Sequence, residues 1–333
     1  MSSSDLLHVA NGHCLMEVIS RAGIPGTLSV WCDVLHDGPV PGGISDEELT
    51  RVRARYLAGP NASPDEVLSE LHGWEQAIER LSEFRQIVLW FEHDLFDQLN
   101  LIQVLDRLAG KPRNGTDVTL ISIGSFPGRL TFKGMGELTP EELAPLFGQR
   151  QPVRDDQYAL AQQAWAAFRS PDPREIEDLL AGDTSPLQFL GAALHRHLEE
   201  FPSTANGLSR SENRLLELVA GGQTSIRSTF SQMHLGETAF YIGDLSYWDR
   251  ARELAGTTPP LLQITTTSES EQALPSGEFA MTADGREVLR GADRVKRCGI
   301  DRWLGGAHLT GHGPVWRWDA ERGRIQAPGD RGH

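Results

Sequence analysis

Lysine is nearly missing from this 333-residue chain: Lys111, Lys133 and Lys296 are all it has, so its positive charge is almost entirely arginine. Cysteine is as scarce. Cys14, Cys32 and Cys298 form no CxxC pair and no even-numbered framework, which excludes a disulfide-stapled scaffold and fits a reducing compartment. No apolar run nears the roughly 20 residues that a membrane-spanning helix needs. The opening MSSSDLLHVA has neither the basic nor the apolar region of a signal peptide. A cytoplasmic protein with no membrane partner is the expectation. Positive charge is also short overall, with a net charge of −15. Residues 1–150 carry 12 basic against 21 acidic side chains, residues 151–205 carry 4 against 9, and residues 206–333 carry 15 against 16. The acidic first half argues against a general nucleic-acid surface there. The last third leaves nucleic acid open as a partner but supplies no basic stripe for it.

What the chain does have is centred on Gln86–Gln98, QIVLWFEHDLFDQ. Ile87–Phe91 is an unbroken apolar run, the pattern of a strand buried on both faces of a parallel sheet. It stops at Glu92-His93-Asp94, and Leu95, Leu99, Ile102 and Leu105 follow at helical spacing. In open α/β sheets the ligand crevice lies outside the carboxyl ends of the strands, where this charged edge falls. Short strands at Asp5–Ala10, Gly26–Asp33 and Asp117–Gly124 and helices at His13–Ala22, Ser45–Ala58 and Ser63–Phe84 complete an α/β domain over 1–150. The fold class expected is an open, doubly wound, mostly parallel sheet. Helical patterns alone fill 151–205, a connector. Three helices (Ser209–Ala220, Ser225–His234, Gly243–Ala255) and two strands (Leu261–Thr267, Glu278–Thr282) around the loop SESEQALPSG give 206–320 the order of a winged helix, with a closing β segment at 299–319. Residues 321–333 read as a disordered tail.

Several phrases together resemble a bacterial family, domain of unknown function 1835, with its uncharacterised C-terminal companion domain. They are LHDGPVP, VLWFEHDLFDQLNLIQVLDRL, the W-A-A-F of Trp165–Phe168, GLSRSENRLLEL and Gly243-Asp244. The resemblance spans about residues 6–262 and implies no activity. In the first turn the family pattern Gly-Asp-Ser is replaced by Gly12-His13-Cys14, which alters whatever chemistry that turn supports.

Two acidic/His loops belong to one sheet edge: Asp33, His36 and Asp37 after the second strand, and Glu92, His93 and Asp94 after the third. Carboxylates and imidazoles there suit acid–base work, with Asp33, His36, Asp37, Glu92 and Asp94 as catalytic candidates. His36, Glu92, His93 and Asp94 are candidate ligands for Zn²⁺, Mn²⁺ or Fe²⁺. The plainer readings are that Asp94, with Asp97 a turn later, caps a helix, and that Asp37-Gly38-Pro39 is a turn. Alternation along a strand also sets His93 opposite Glu92 and Asp94. Gly12 and His13, opening the first helix, are the candidate cofactor-binding pair, since a helix N-terminus receives phosphate. In the last third, Asp244, Asp249 and Glu253 crowd the recognition helix, so dimerisation, including a homodimer, fits better than DNA.

The reading is an enzyme, a metal-assisted hydrolase or lyase acting on a small polar or phosphorylated molecule at the sheet edge. The alternative is a ligand-sensing regulator or scaffold that binds DNA or a protein partner through the winged-helix-like module.

Overall fold

The computed structural model describes residues 5–60, 62–111, 115–268 and 274–330. Strand β1 (Leu6–Ala10) is followed by α1 (His13–Arg21), β2 (Thr27–Val30), α2 (Asp46–Ala58), α3 (Pro64–Glu79), β3 (Gln86–Glu92), α4 (Leu95–Ala109), β4 (Asp117–Ile123), α5 (Pro140–Phe147) and β5 (Gln151–Pro152). These five strands form one sheet in the order β2-β1-β3-β4-β5. All pairings are parallel except the last, where β5 runs antiparallel at the edge. The chain is an α/β protein with a doubly wound, mostly parallel sheet, as its strand–helix alternation implies.

Every residue of β3 is buried because both faces of the sheet are covered. Val88 and Trp90 pack with Leu15 and Ile19 of α1 and Leu143 of α5, whereas Ile87, Leu89 and Phe91 join the larger core with Leu99 and Leu105 of α4. Helix α4 is buried along nearly all its length. The connector explains this: α6 (Asp155–Phe168) and α8 (Leu190–Leu198) cover the face that the sheet leaves open, with α7 (Arg174–Leu180) between them.

The next section has winged-helix geometry. Helices α9 (Arg210–Ala220), α10 (Ile226–Met233) and α11 (Asp244–Gly256) precede the antiparallel pair β6 (Leu262–Ser268) and β7 (Ser276–Met281), and Ser225 adds a bridge to Glu278 ahead of α10. Residues 269–273 of the Ser/Glu-rich loop lie outside the described residues. The capping box read at Ser209 forms: Ser209 Oγ accepts the Glu212 N–H at 3.2 Å, and the Glu212 carboxylate accepts the Ser209 N–H at 2.8 Å. Replacing Ser209 by Ala is expected to destabilise the protein by about 1 kcal/mol in urea unfolding.

Two short helices that the sequence reading does not contain, α12 (Ala283–Leu289) and α13 (Arg294–Cys298), are capped by Thr282 and Asp293. The closing segment is a hairpin of β8 (Ile300–Leu304) and β9 (Ala307–Gly311), then β10 (Arg317–Asp319) and β11 (Arg324–Gln326). The β8–β9 turn, Gly305-Gly306, sits so tightly on the end of α6 that a Cβ on Gly306 would lie 1.8 Å from the Arg169 carbonyl oxygen. Only glycine fits there. The expected disordered tail needs correcting. Strand β11 pairs with β10, Ile325 is buried, and its N–H is held by the Glu177 carboxylate of α7; residues 331–333 lie outside the described residues.

Candidate functional site

The strand order reverses at β1: β2 lies on one side of it and β3 on the other. Such a switch point leaves a crevice beyond the strand ends, because the two crossover connections depart in opposite directions. Strand β1 delivers Asn11 and Gly12 to this place, β3 delivers Glu92, and the first turn of α4 delivers Asp97. The Asn11 carboxamide Nδ2 donates to Glu92 Oε2 and to both Asp97 oxygens, the latter at 2.7 Å. Asp97 Oδ1 also accepts the Glu92 backbone N–H at 2.6 Å. Asp94 caps α4, its Oδ1 accepting the Asp97 N–H at 3.0 Å.

Glu92, Asp94 and Asp97 are 3, 7 and 2% exposed, and burial is the largest influence on all three, disfavouring their charged forms. It lifts Glu92 to about 7 against opposing hydrogen bonds from Asp97, Met135 and Asn11. Asp94 and Asp97 are raised well above the ordinary range by burial, and next by charge repulsion, from Asp97 on Asp94 and from Glu92 on Asp97. Among the described residues none of the three has an Arg or Lys partner. The other buried carboxylates do: Asp33 pairs with Arg53 at 2.7 Å, Glu200 with Arg196 at 2.6 Å, Glu212 with Arg302 at 2.6 Å and Asp319 with Arg322 at 2.8 Å. Among the described residues, buried acids are neutralised by arginine except at the switch point.

A loop seals the crevice. Glu92 Oε1 accepts the N–H of Met135, and Gly134 lies so close that a Cβ there would sit 3.3 Å from the same oxygen. One residue before it, Lys133 Nζ approaches His234 Nδ1, at the end of α10, to 3.2 Å. The C-terminal module also meets the site directly, since the Leu95 N–H that opens α4 donates to the Ala239 carbonyl at 2.7 Å.

The first acidic loop goes elsewhere. Arg53 grips Asp33 through Nε and Nη2 and donates to the carbonyls of Val34, Asp37 and Pro39, so the loop is moulded around one guanidinium. Asp37 Oδ1 accepts from Arg250 Nη2 at 3.0 Å, and His36 Nε2 lies 3.2 Å from Ser246 Oγ, both partners being on α11. Burial holds His36 below its usual pKa, against the raising effect of Asp37, and its ring edge packs on Phe240. The two loops therefore do not share a carboxylate site. Their strands, β2 and β3, are separated by β1, two strand spacings or about 9–10 Å, and Asn11 fills the gap beside Glu92.

His93 points away from Glu92, as strand alternation requires, into a box of Phe132, Phe189 and Tyr241. Among the described residues its Nδ1 is buried without a partner, and burial depresses its pKa. The proposed metal ligands His36, Glu92, His93 and Asp94 are thus not assembled, and among the described residues no three His, Cys, Asp or Glu side chains form a metal-binding group. Gly12 is the N-cap residue of α1 and provides no side-chain cap, no acid occupies that helix's first turn, and His13 is exposed beside it. Sequence reasoning does not single out Asn11, and it reads Asp97 only as part of the α4 cap. The available signal was three carboxylates within Glu92–Asp97 with no Lys or Arg among them.

Helix α11 turns Ser246 and Arg250 onto the Asp37 loop, and Arg252 lies 3.6 Å from Asp249. Arg250 is buried against Asp37, whereas Arg252 and Asp249 both lie in solvent.

No protein-family model matches the chain, and no curated protein matches it. Among solved structures it is similar to the Aeropyrum pernix ORC1 protein in complex with DNA, at 15% identity over 86% of each chain and a TM-score of 0.21. A likeness of that size carries no argument about fold or function. No helix among the described residues is long and apolar enough to cross a membrane.

Proposed function

We propose that the chain is an enzyme that works by proton transfer at the β1/β3 switch point, on a small polar molecule and with Glu92 as the acid–base group. One observation carries this reading: three buried carboxyls meet there without the arginine that every other buried carboxylate among the described residues has. Stability alone does not favour such an arrangement, since an uncompensated buried acid costs free energy and is held only by neighbouring contacts. A carboxyl poised near neutrality is what general acid–base chemistry needs. Asp97 and Asn11 act as positioning residues: Asn11 fixes both carboxyls by donating to them, and Asp97 shares the Glu92 proton. Hydrolase and lyase reactions are the classes this chemistry serves.

A divalent cation belongs to the proposal in a narrower form. Glu92 and Asp97 offer hard oxygen donors, which of the metals considered suit Mn²⁺ better than Zn²⁺. Bound there, the cation would replace the shared proton.

The test incubates the protein and its Glu92→Gln variant with a small-molecule extract of bacterial cells, with and without Mn²⁺, and follows masses by mass spectrometry. The expected result is a compound consumed by the parent and spared by the variant, its product differing by water or split in two. If the parent consumes nothing under either condition, or the variant performs equally, the proposal fails. The regulator reading has less support, because its recognition helix is docked on the Asp37 loop.

A further inference from the structure

A second site adjoins β3 through Gln98, whose side chain reaches the Glu92 carbonyl and which also lines a separate cavity. Between the carboxyl end of β4, helix α4, strand β5 and the segment 185–188 is a cavity of about 370 Å³. That is the lower end of the range for small-molecule sites. In a chain of net charge −15, no carboxylate lines it. Its one charged residue, Arg154, turns Nε and Nη2 to Asp156 at 3.4 and 3.2 Å. The cavity therefore selects neither a cation nor a strong anion.

Its polar lining is mostly carboxamide. Gln157 is spent on structure, accepting the Arg154 N–H and donating to the Pro186 carbonyl, both at 2.9 Å, which fixes the rim. Gln98 is different. It is 1% exposed, and its Nε2 donates to the Glu92 carbonyl at 2.5 Å, while its Oε1 accepts nothing among the described residues. The Ser122 hydroxyl and the Gln188 carboxamide, also lining the cavity, likewise make no hydrogen bond among the described residues. Gln98 lines the cavity, so a ligand N–H placed there can donate to its Oε1. Leu101, Leu120, Leu146 and Leu187 supply apolar wall between these groups.

We infer that this cavity binds a neutral heterocycle with flat apolar faces and in-plane donor and acceptor groups side by side, the chemistry of a nucleobase or uncharged nucleoside. Carboxamides read such edges with paired donor and acceptor contacts, as glutamine does on adenine. The leucine walls take the faces. A sugar alone has no flat apolar face to offer them, and an anion has only Arg154, already engaged by Asp156. The inference stands without the acid–base reading, since it uses none of the three carboxyls.

Titration calorimetry and saturation-transfer NMR test it with the full chain, the four common nucleosides and their 5′-monophosphates. At least one nucleoside binds saturably, and both Gln98→Leu and the cavity-filling Ser122→Leu weaken it about tenfold or more, the worth of one good hydrogen bond. Ser122 lies at the strand end, so its variant keeps the test sound if Gln98→Leu fails to fold. Glu92→Gln binds as the parent does. Three results overturn the inference: no nucleoside binds the folded parent at millimolar concentration, only the monophosphates bind, or binding survives Ser122→Leu unchanged.

Discussion

Glu92→Gln is expected to make the protein more stable above neutral pH and to flatten its pH dependence there. The folded-state pKa of Glu92 is raised from 4.5 to about 7, so folding favours the protonated carboxyl. For such a group the folded state binds the extra proton between the two values, and stability falls as pH rises through that window. A shift of that size is worth on the order of 3 kcal/mol. Asp94 and Asp97 are raised as well and act in the same direction. Glutamine imitates the protonated acid: it keeps the shape and cannot ionise. Burial depresses His36 and also His197, which is held at about 4, so these two favour the fold at higher pH and lose that contribution as pH falls below 6.5. The quantity to read is therefore the difference between parent and variant in urea unfolding from about pH 5 to about pH 8. A difference that widens with pH supports a proton held on Glu92, and parallel curves count against it.

Arg53→Ala is the second change with a large expected effect, a loss of about 3–5 kcal/mol. The side chain is 2% exposed, pairs with Asp33 through two nitrogens and holds three carbonyls of the 34–39 loop. Its removal leaves Asp33 buried and uncompensated. Arg53→Lys recovers little, because an ammonium lacks the planar fork that reaches two carboxylate oxygens and the carbonyls together. Replacing both partners, Arg53→Met with Asp33→Leu, restores part of the loss by removing the stranded charge. Urea midpoints at constant slope measure all three variants. If Arg53→Ala unfolds at the parent's midpoint, the loop is held by something other than this pair.

Much of this architecture is local in sequence and was legible there. Five consecutive apolar residues at Ile87–Phe91 announce a strand covered on both faces, and Asp94 immediately before Leu95 announces the helix cap that forms. Ser209 with Glu212 does the same for α9. The partners of the buried charges were not legible, because nothing in local spacing links Asp33 to Arg53 or Asp37 to Arg250, which is 213 residues away. The two acidic loops do share a sheet edge, as the alternation of strands and helices required. What the alternation leaves open is that β1 lies between their strands. That order makes Asn11, and not His36, the neighbour of Glu92. The β11 strand was hidden for a related reason. Its short Arg324–Gln326 segment has no periodicity, and it is held by β10 and by Glu177, far away in the chain.

The contacts of the Asp37 loop with α11, and of Leu95 with Ala239, bear on how this chain can be inherited. A module joined to its neighbour by a flexible linker can be lost, duplicated or exchanged between genes without harm to the rest. Here a chain ending near residue 205 would leave Asp37 without its arginine, His36 without its serine and the first N–H of α4 without its acceptor. The winged-helix section is therefore not an accessory that recombination can add or remove. It completes the fold of the sheet that precedes it, and the two are expected to pass down as one unit.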